Sequence, residues 1–157
     1  MNTCDLCDLH DAQVRVLDLP LRDYGGRLAF NGLVSTVRAF EDNSRVREAV
    51  AESGQGRVLV IDGNGSTRRA LLGDLLAAQA VENGWAGVVV FGAIRDSGAI
   101  GALDFGVKAL ATCPRKTDKR GLGERDVEVG FGGVTIRPGD WLCADEDGVV
   151  IADTDLR

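Results

Sequence analysis

The chain has one histidine, His10, with only three prolines, one tyrosine and two tryptophans among 157 residues. A single imidazole excludes a Ser-His-Asp or Cys-His triad unless His10 itself supplies the base. No stretch approaches the roughly 18 continuous apolar residues that a membrane span needs. The opening segment, MNTCDLCDLHD, is acidic and lacks the basic start of a secretory signal, so a cytoplasmic protein is expected. In that compartment Cys4, Cys7, Cys113 and Cys143 are expected as thiols rather than disulfides. Basic clusters clear of acids are missing as well. The net charge is −6, and the densest basic run, Arg115-Lys116-Thr117-Asp118-Lys119-Arg120, reads first as a solvated loop and second as an anionic-ligand or partner site. A phosphate-tracking surface carries a basic patch, so nucleic acid is not expected as the main partner.

What is there points to one globular domain over residues 1–157, with 45% apolar and 27% charged residues. The 21 glycines are in excess, against a usual share of about 7%. They follow no three-residue period and come with little proline, so they mark turns or backbone that must approach something closely.

Two local patterns suggest chemistry and are better read as structure. Cys4-x2-Cys7-x2-His10 resembles half a zinc site, but a structural zinc needs a fourth ligand, usually from a second pair. Thr3 as an N-cap before Leu6 and Leu9 makes a short helix the simpler reading. Val58–Ile61 runs into Asp62-Gly63-Asn64-Gly65, a strand followed by a glycine-rich turn. Arg68 stands where the third glycine of G-x-G-x-x-G belongs, so a dinucleotide or S-adenosylmethionine loop is not expected.

Periodicity and turn residues give a mixed α/β order. Val14–Leu17 reads as a short strand or extended segment, and Arg27–Phe30 and Leu33–Val37 as strands joined at Asn31-Gly32, a hairpin signal. Asn43 or Ser44 caps a helix ending at Gly54. Arg69–Leu72 reads as a strand, Gly73 as a turn, and Asp74–Asn83 as a helix with Asp74 at its N-cap. Trp85–Ile94 is a buried strand, Ile100–Phe105 a short helix, and Lys108–Thr112 a strand. Val127–Phe131, Val134–Ile136 and Val149–Ile151 complete a β-rich second half, with turns at Pro138–Asp140 and Asp145–Gly148.

One constellation carries chemistry. A strand ending in Arg95-Asp96 beside a helix beginning at Asp74 brings together a cation, two carboxylates and the free N–H groups of Leu75 and Leu76. Helix starts bind anions, arginine grips carboxylates, and an aspartate left free is a ligand for Mg²⁺ or Mn²⁺. Such a site suits a 2-oxo acid, with its carboxylate on the amides and a Lewis acid stabilising an enolate as a C–C bond breaks. Strand-end salt bridging is the structural alternative.

Asp74 and Arg95-Asp96 form D-x20-R-D, set in Phe91-Gly-Ala-Ile-Arg-Asp96. With Gly25-Gly-Arg27, Ser35-Thr-Val37, Phe40-Glu-Asp-Asn43, Gly132-Gly-Val134, Pro138-Gly-Asp140 and Asp147-Gly-Val149, this resembles the family of the regulator of ribonuclease activity A and the 4-hydroxy-4-methyl-2-oxoglutarate aldolases. The resemblance covers nearly the whole chain. It implies a single compact β/β/α sandwich of swivelling-domain type with a mixed sheet, assembled as a homotrimer or a dimer of trimers. It further implies a divalent cation (Mg²⁺ or Mn²⁺) on Asp96, substrate contact by Arg95, and the pyruvate carboxylate on the backbone of Gly73-Asp74-Leu75-Leu76. Asp74 then helps position metal-bound water. The implied reaction is retro-aldol cleavage of 4-hydroxy-4-methyl-2-oxoglutarate to two pyruvates, with oxaloacetate decarboxylation through the same enolate. Other family members bind and inhibit RNase E. They lack the aspartate after the arginine, so Asp96 favours the aldolase. Larger aldolases extend beyond the point matching Arg157 and add an acid from a neighbouring subunit. Asp145, Glu146 and Asp147 are acidic but read as a turn, which leaves the general base unassigned.

Overall fold

A computed structural model describes residues 1–157. Its elements in order are α1 (Thr3–His10), β1 (Val14–Val16), β2 (Arg22–Asp23), β3 (Phe30–Arg38), α2 (Ser44–Ala51), β4 (Val58–Asp62), β5 (Ala70–Leu72) and α3 (Asp74–Glu82). The second half holds β6 (Gly87–Ile94), α4 (Ser97–Gly101), β7 (Gly106–Thr112), β8 (Glu124–Arg125), β9 (Val129–Phe131), β10 (Val134–Ile136), β11 (Trp141–Asp145) and β12 (Gly148–Ala152). No helix is long and apolar enough to cross a membrane.

The main sheet runs β1-β12-β11-β3-β4-β6-β7-β2, with β5 added parallel to β6 and β8 antiparallel to β3. From β1 to β3 the pairing is antiparallel, and from β3 to β7 it is parallel. Strand β4 shows why its apolar run is unbroken. Leu59 and Ile61 enter a core of 19 buried residues beneath α2, α3 and α4, whereas Val58 and Val60 enter a core of 14 shared with β9–β12. Both faces are buried, so alternation disappears from the sequence. The expected mixed α/β layering, helices over a mixed sheet with a further β layer opposite, is what the chain adopts.

Several local expectations are corrected. Asn31-Gly32 makes no hairpin, because β3 runs straight through it. A hairpin turn of that type needs positive φ at both residues, and neither has it. Gly32 serves closeness instead, since a Cβ there would lie 2.2 Å from the Gly56 carbonyl oxygen. Helix α1 is capped by Asn2 rather than Thr3, through a capping box with Asp5. Asp42, not Asn43, caps α2 with its side chain, accepting the Ser44 N–H at 2.9 Å. The short helix after β6 starts at Ser97, earlier than Ile100, and Trp141–Asp145 is a fully buried strand rather than part of a turn region.

Candidate active site

Strands β5 and β6 lie side by side and end together, the Arg95 N–H bonding to the Leu72 carbonyl at 2.9 Å. This register places the Arg95-Asp96 corner over the start of α3. Gly73, not Asp74, is the N-cap of that helix, with extended backbone, and Asp74 is its first residue. The helix therefore presents its earliest N–H groups toward the corner. That of Asp74 donates to Asp96 Oδ2 at 3.1 Å. The first intrahelical bond is made by Ala77 to the Gly73 carbonyl, which leaves the Leu75 and Leu76 N–H groups ahead of the ladder.

Asp96 holds a left-handed backbone (φ 55°, ψ 40°), a conformation tolerated best by Asn, Asp and Gly. Its carboxylate is 40% exposed, and the Arg95 Nε stands 3.9 Å from Oδ2, an ion pair beyond hydrogen-bond length. The arginine thus leaves the carboxylate available to another cation. Gly73 is what lets the corner close. A Cβ at this position would lie 2.9 Å from Asp96 Oδ2 and 3.4 Å from Arg95 Nε.

These groups face a cleft of about 390 Å³. All six residues expected from the sequence (Gly73, Asp74, Leu75, Leu76, Arg95 and Asp96) line it together. Sequence reasoning did not place Asn43, Arg47, Ala70, Gln79, Lys116 and Lys119 there, yet they complete the wall. The run containing Lys116 and Lys119 is anchored rather than a free loop. Thr117 is buried, donating to Asn43 Oδ1 at 2.8 Å and accepting the Asn43 N–H at 3.3 Å. Arg115 O accepts the Ala70 N–H, and Asp42 Oδ2 accepts the Arg120 N–H at 2.7 Å. Burial pushes the Asp42 carboxyl upward, but the Ser44 hydroxyl and the N–H groups of Ser44, Arg120 and Leu122 outweigh it and hold it below the usual range. The secondary reading of this run as an anionic-ligand surface is the one its position suits.

The other motifs lie elsewhere. Gly63 and Gly65 both donate their N–H groups to the Phe91 carbonyl, and that of Asn64 goes to Asp62, so the glycine-rich turn has no amides left to cradle a cofactor. Cys4 bonds through its thiol to Asp147 at 3.5 Å, and His10 meets Gln13 at 3.1 Å. Asp145 is 7% exposed and accepts from the Thr3 N–H, the Thr3 hydroxyl and the Asp147 N–H, tying α1 to β11. None of Asp145, Glu146 and Asp147 lines the cleft of this chain.

With this geometry in hand, the chain was compared with known proteins. A family model described as RraA-like, Aldolase/RraA, matches residues 3–151. The chain belongs to the RraA-like family. Among relatives in this family, a protein of Alkalilimnicola ehrlichii provisionally named 4-hydroxy-4-methyl-2-oxoglutarate aldolase is 58% identical over 154 residues, covering 98% of this chain and 96% of its own. A Geobacillus kaustophilus structure described as S-adenosylmethionine: 2-dimethylmenaquinone methyltransferase superposes with a TM-score of 0.98 at 52% identity, covering 99% and 97% of the two chains. The RNA-processing inhibitor RraA from Thermus thermophilus superposes with a TM-score of 0.95 at 45% identity, covering 100% and 97%. These RraA-like neighbours share the mixed α/β fold described above.

Proposed function

We propose that the cleft cleaves 4-hydroxy-4-methyl-2-oxoglutarate to two pyruvates and decarboxylates oxaloacetate, using a divalent cation held by Asp96. The observation that carries this reading is the Asp96 carboxylate poised over the first N–H groups of α3, with Arg95 nearby but not bonded to it. The donor set suits the cation. Asp96 offers hard carboxylate oxygen, and nowhere do three or more His, Cys, Asp or Glu gather as zinc would require. Mg²⁺ and Mn²⁺ accept one or two carboxylates and keep several waters.

The chain's own residues then do the following. The Leu75 and Leu76 N–H groups, at the positive end of the α3 dipole, hold the C1 carboxylate. Arg95 donates to substrate oxygen and keeps the 2-oxo group turned toward Asp96. Gly73 allows the substrate to approach the backbone without a side chain between. Bound at Asp96, the cation supplies Lewis-acid stabilisation of the charge that develops on the keto oxygen. Asp74, at the first turn of α3, orients water at the same corner. Both reactions break a bond to C3 and leave the same pyruvate enolate, which is why one site serves both.

Pyruvate release from each substrate should require Mg²⁺ or Mn²⁺, stop with EDTA and be abolished in Asp96→Ala. Activity that survives both treatments unchanged would overturn the role given to Asp96. A second reading is favoured by the likeness to the Thermus inhibitor: a non-catalytic regulator that binds an RNase E-type partner. It predicts a stable complex insensitive to Arg95→Ala, together with no turnover of either substrate by metal-loaded protein.

A further inference from the structure

Beyond the Asp96 corner the cleft continues. A second depression of about 330 Å³ opens between α2 and α3, and Arg47, Gln79 and Lys119 line both spaces. Three cations of this wall, Arg47, Lys116 and Lys119, have no carboxylate within 4.0 Å, unlike Arg27, Arg38 and Arg125, which are each paired. The one acid of the second depression, Glu48, is already held by Arg45 at 2.7 Å. Uncompensated positive charge along one wall is notable in a chain of net charge −6. Its backbone is fixed too, since Thr117 is locked to Asn43 and the Lys116 carbonyl accepts from Arg69 at 3.0 Å.

Helix α3 supplies the spacing. Leu76 and Gln79 are three residues apart on one face, about 4.5 Å along the axis. The two carboxyl carbons of a four- or five-carbon 2-oxo dicarboxylic acid are separated by about 4–5 Å, given C–C bonds of about 1.5 Å. A substrate whose first carboxylate meets the start of α3 therefore carries its second to Gln79, Arg47 and Lys119.

We propose that Arg47 and Lys119, flanked by Lys116, form a subsite for a second carboxylate, so that the cleft selects doubly charged 2-oxo acids over singly charged ones. The inference rests on the reading above, which puts the first carboxylate on α3. Arg47 offers a planar fork to a carboxylate, Lys119 a compact charge and Gln79 an amide donor. Because the subsite is open to solvent, its preference weakens as salt shortens the screening length.

The test is calorimetric titration of the full-length, Mg²⁺-loaded protein with pyruvate and with 2-oxoglutarate, which has no bond for a retro-aldol reaction to break. Wild type should hold 2-oxoglutarate about tenfold more tightly, the scale of one charge-assisted hydrogen bond. Arg47→Ala and Lys119→Ala should each remove most of that preference while moving pyruvate affinity less than about twofold, and Lys119→Glu should reverse it. All three side chains are exposed, and unchanged thermal melting confirms that each variant is folded. Equal weakening of both ligands, or no preference in wild type, would overturn the subsite while leaving the catalytic reading intact. If pyruvate fails to bind but 2-oxoglutarate binds through Arg47 and Lys119, the subsite stands and the catalytic reading falls. If neither ligand binds, both fall.

Discussion

Asp96 caps helix α3 from outside that helix: its Oδ2 accepts the Asp74 N–H at 3.1 Å. One carboxylate thus anchors a helix start and faces the cleft, and the two roles are separable by substitution. Asp96→Asn keeps an acceptor and suits the left-handed backbone, so its stability should stay within about 0.5 kcal/mol of wild type. Asp96→Ala loses the cap and adds strain, which should cost about 1–2 kcal/mol. Both should lose Mg²⁺ binding and turnover. Chemical denaturation and metal titration of the two variants check the separation.

Gly73→Ala should spare the fold and damage the site. The backbone of Gly73 is extended, so alanine is not strained there. The new methyl meets Asp96 Oδ2 at 2.9 Å and must push the carboxylate away. We expect kcat/KM to fall by at least about tenfold, the cost of a misplacement near 1 Å, with a melting temperature close to wild type. Steady-state kinetics and a thermal melt suffice.

Thr117→Val removes the hydroxyl that bonds the buried Asn43 in both directions. The shape is kept, but Asn43 Oδ1 loses a donor, which should cost about 1–3 kcal/mol. The segment carrying Lys116 and Lys119 loosens, so KM for dicarboxylic substrates should rise more than kcat falls. Urea denaturation and KM against kcat separate the two effects.

Acid should unfold the protein in part through Asp145. Burial raises its pKa, but the Thr3 N–H and hydroxyl, the Asp147 N–H and the Lys108 charge outweigh burial and hold it below the usual range. A depressed carboxylate stabilises the fold fully above its unfolded pKa of about 3.9, and that stabilisation fades as pH falls through the folded value. Asp145→Ala should cost about 2–3 kcal/mol at pH 7. Its deficit relative to wild type should shrink below about pH 4. Thermal melts from pH 7 to pH 3 for both proteins check the sign.

How much of this was legible in the sequence depends on how far apart the cooperating residues lie. The Asp74 and Arg95-Asp96 corner could be read because a strand, a glycine and a helix start follow one another locally, and one further strand completes it. The buried strands β4 and β6 announced themselves by unbroken β-branched runs. Asn31-Gly32 misled because its dipeptide chemistry suits a turn, whereas a close backbone approach across to Gly56 decides its place. Strand β11 was hidden between acids that looked like turn residues, one of which, Asp145, is bound by Thr3 from the other end of the chain. Arg47, Lys116 and Lys119 could not be grouped by any spacing rule, since the contact joining them is between Asn43 and Thr117, 74 positions apart.

Strand β3 pairs with β11 near the end of the chain, and β1 pairs with β12. During synthesis the parallel half around β4, β6 and β7 is complete well before residues 141–152 exist, while Phe30–Leu33 and Val14–Val16 wait with unpaired edges. Closing such long loops is slow, and waiting edges are prone to wrong partners. The helix-covered half that holds the cleft can therefore organise early on the ribosome, and the last dozen residues of the sheet decide when the molecule stops being sticky.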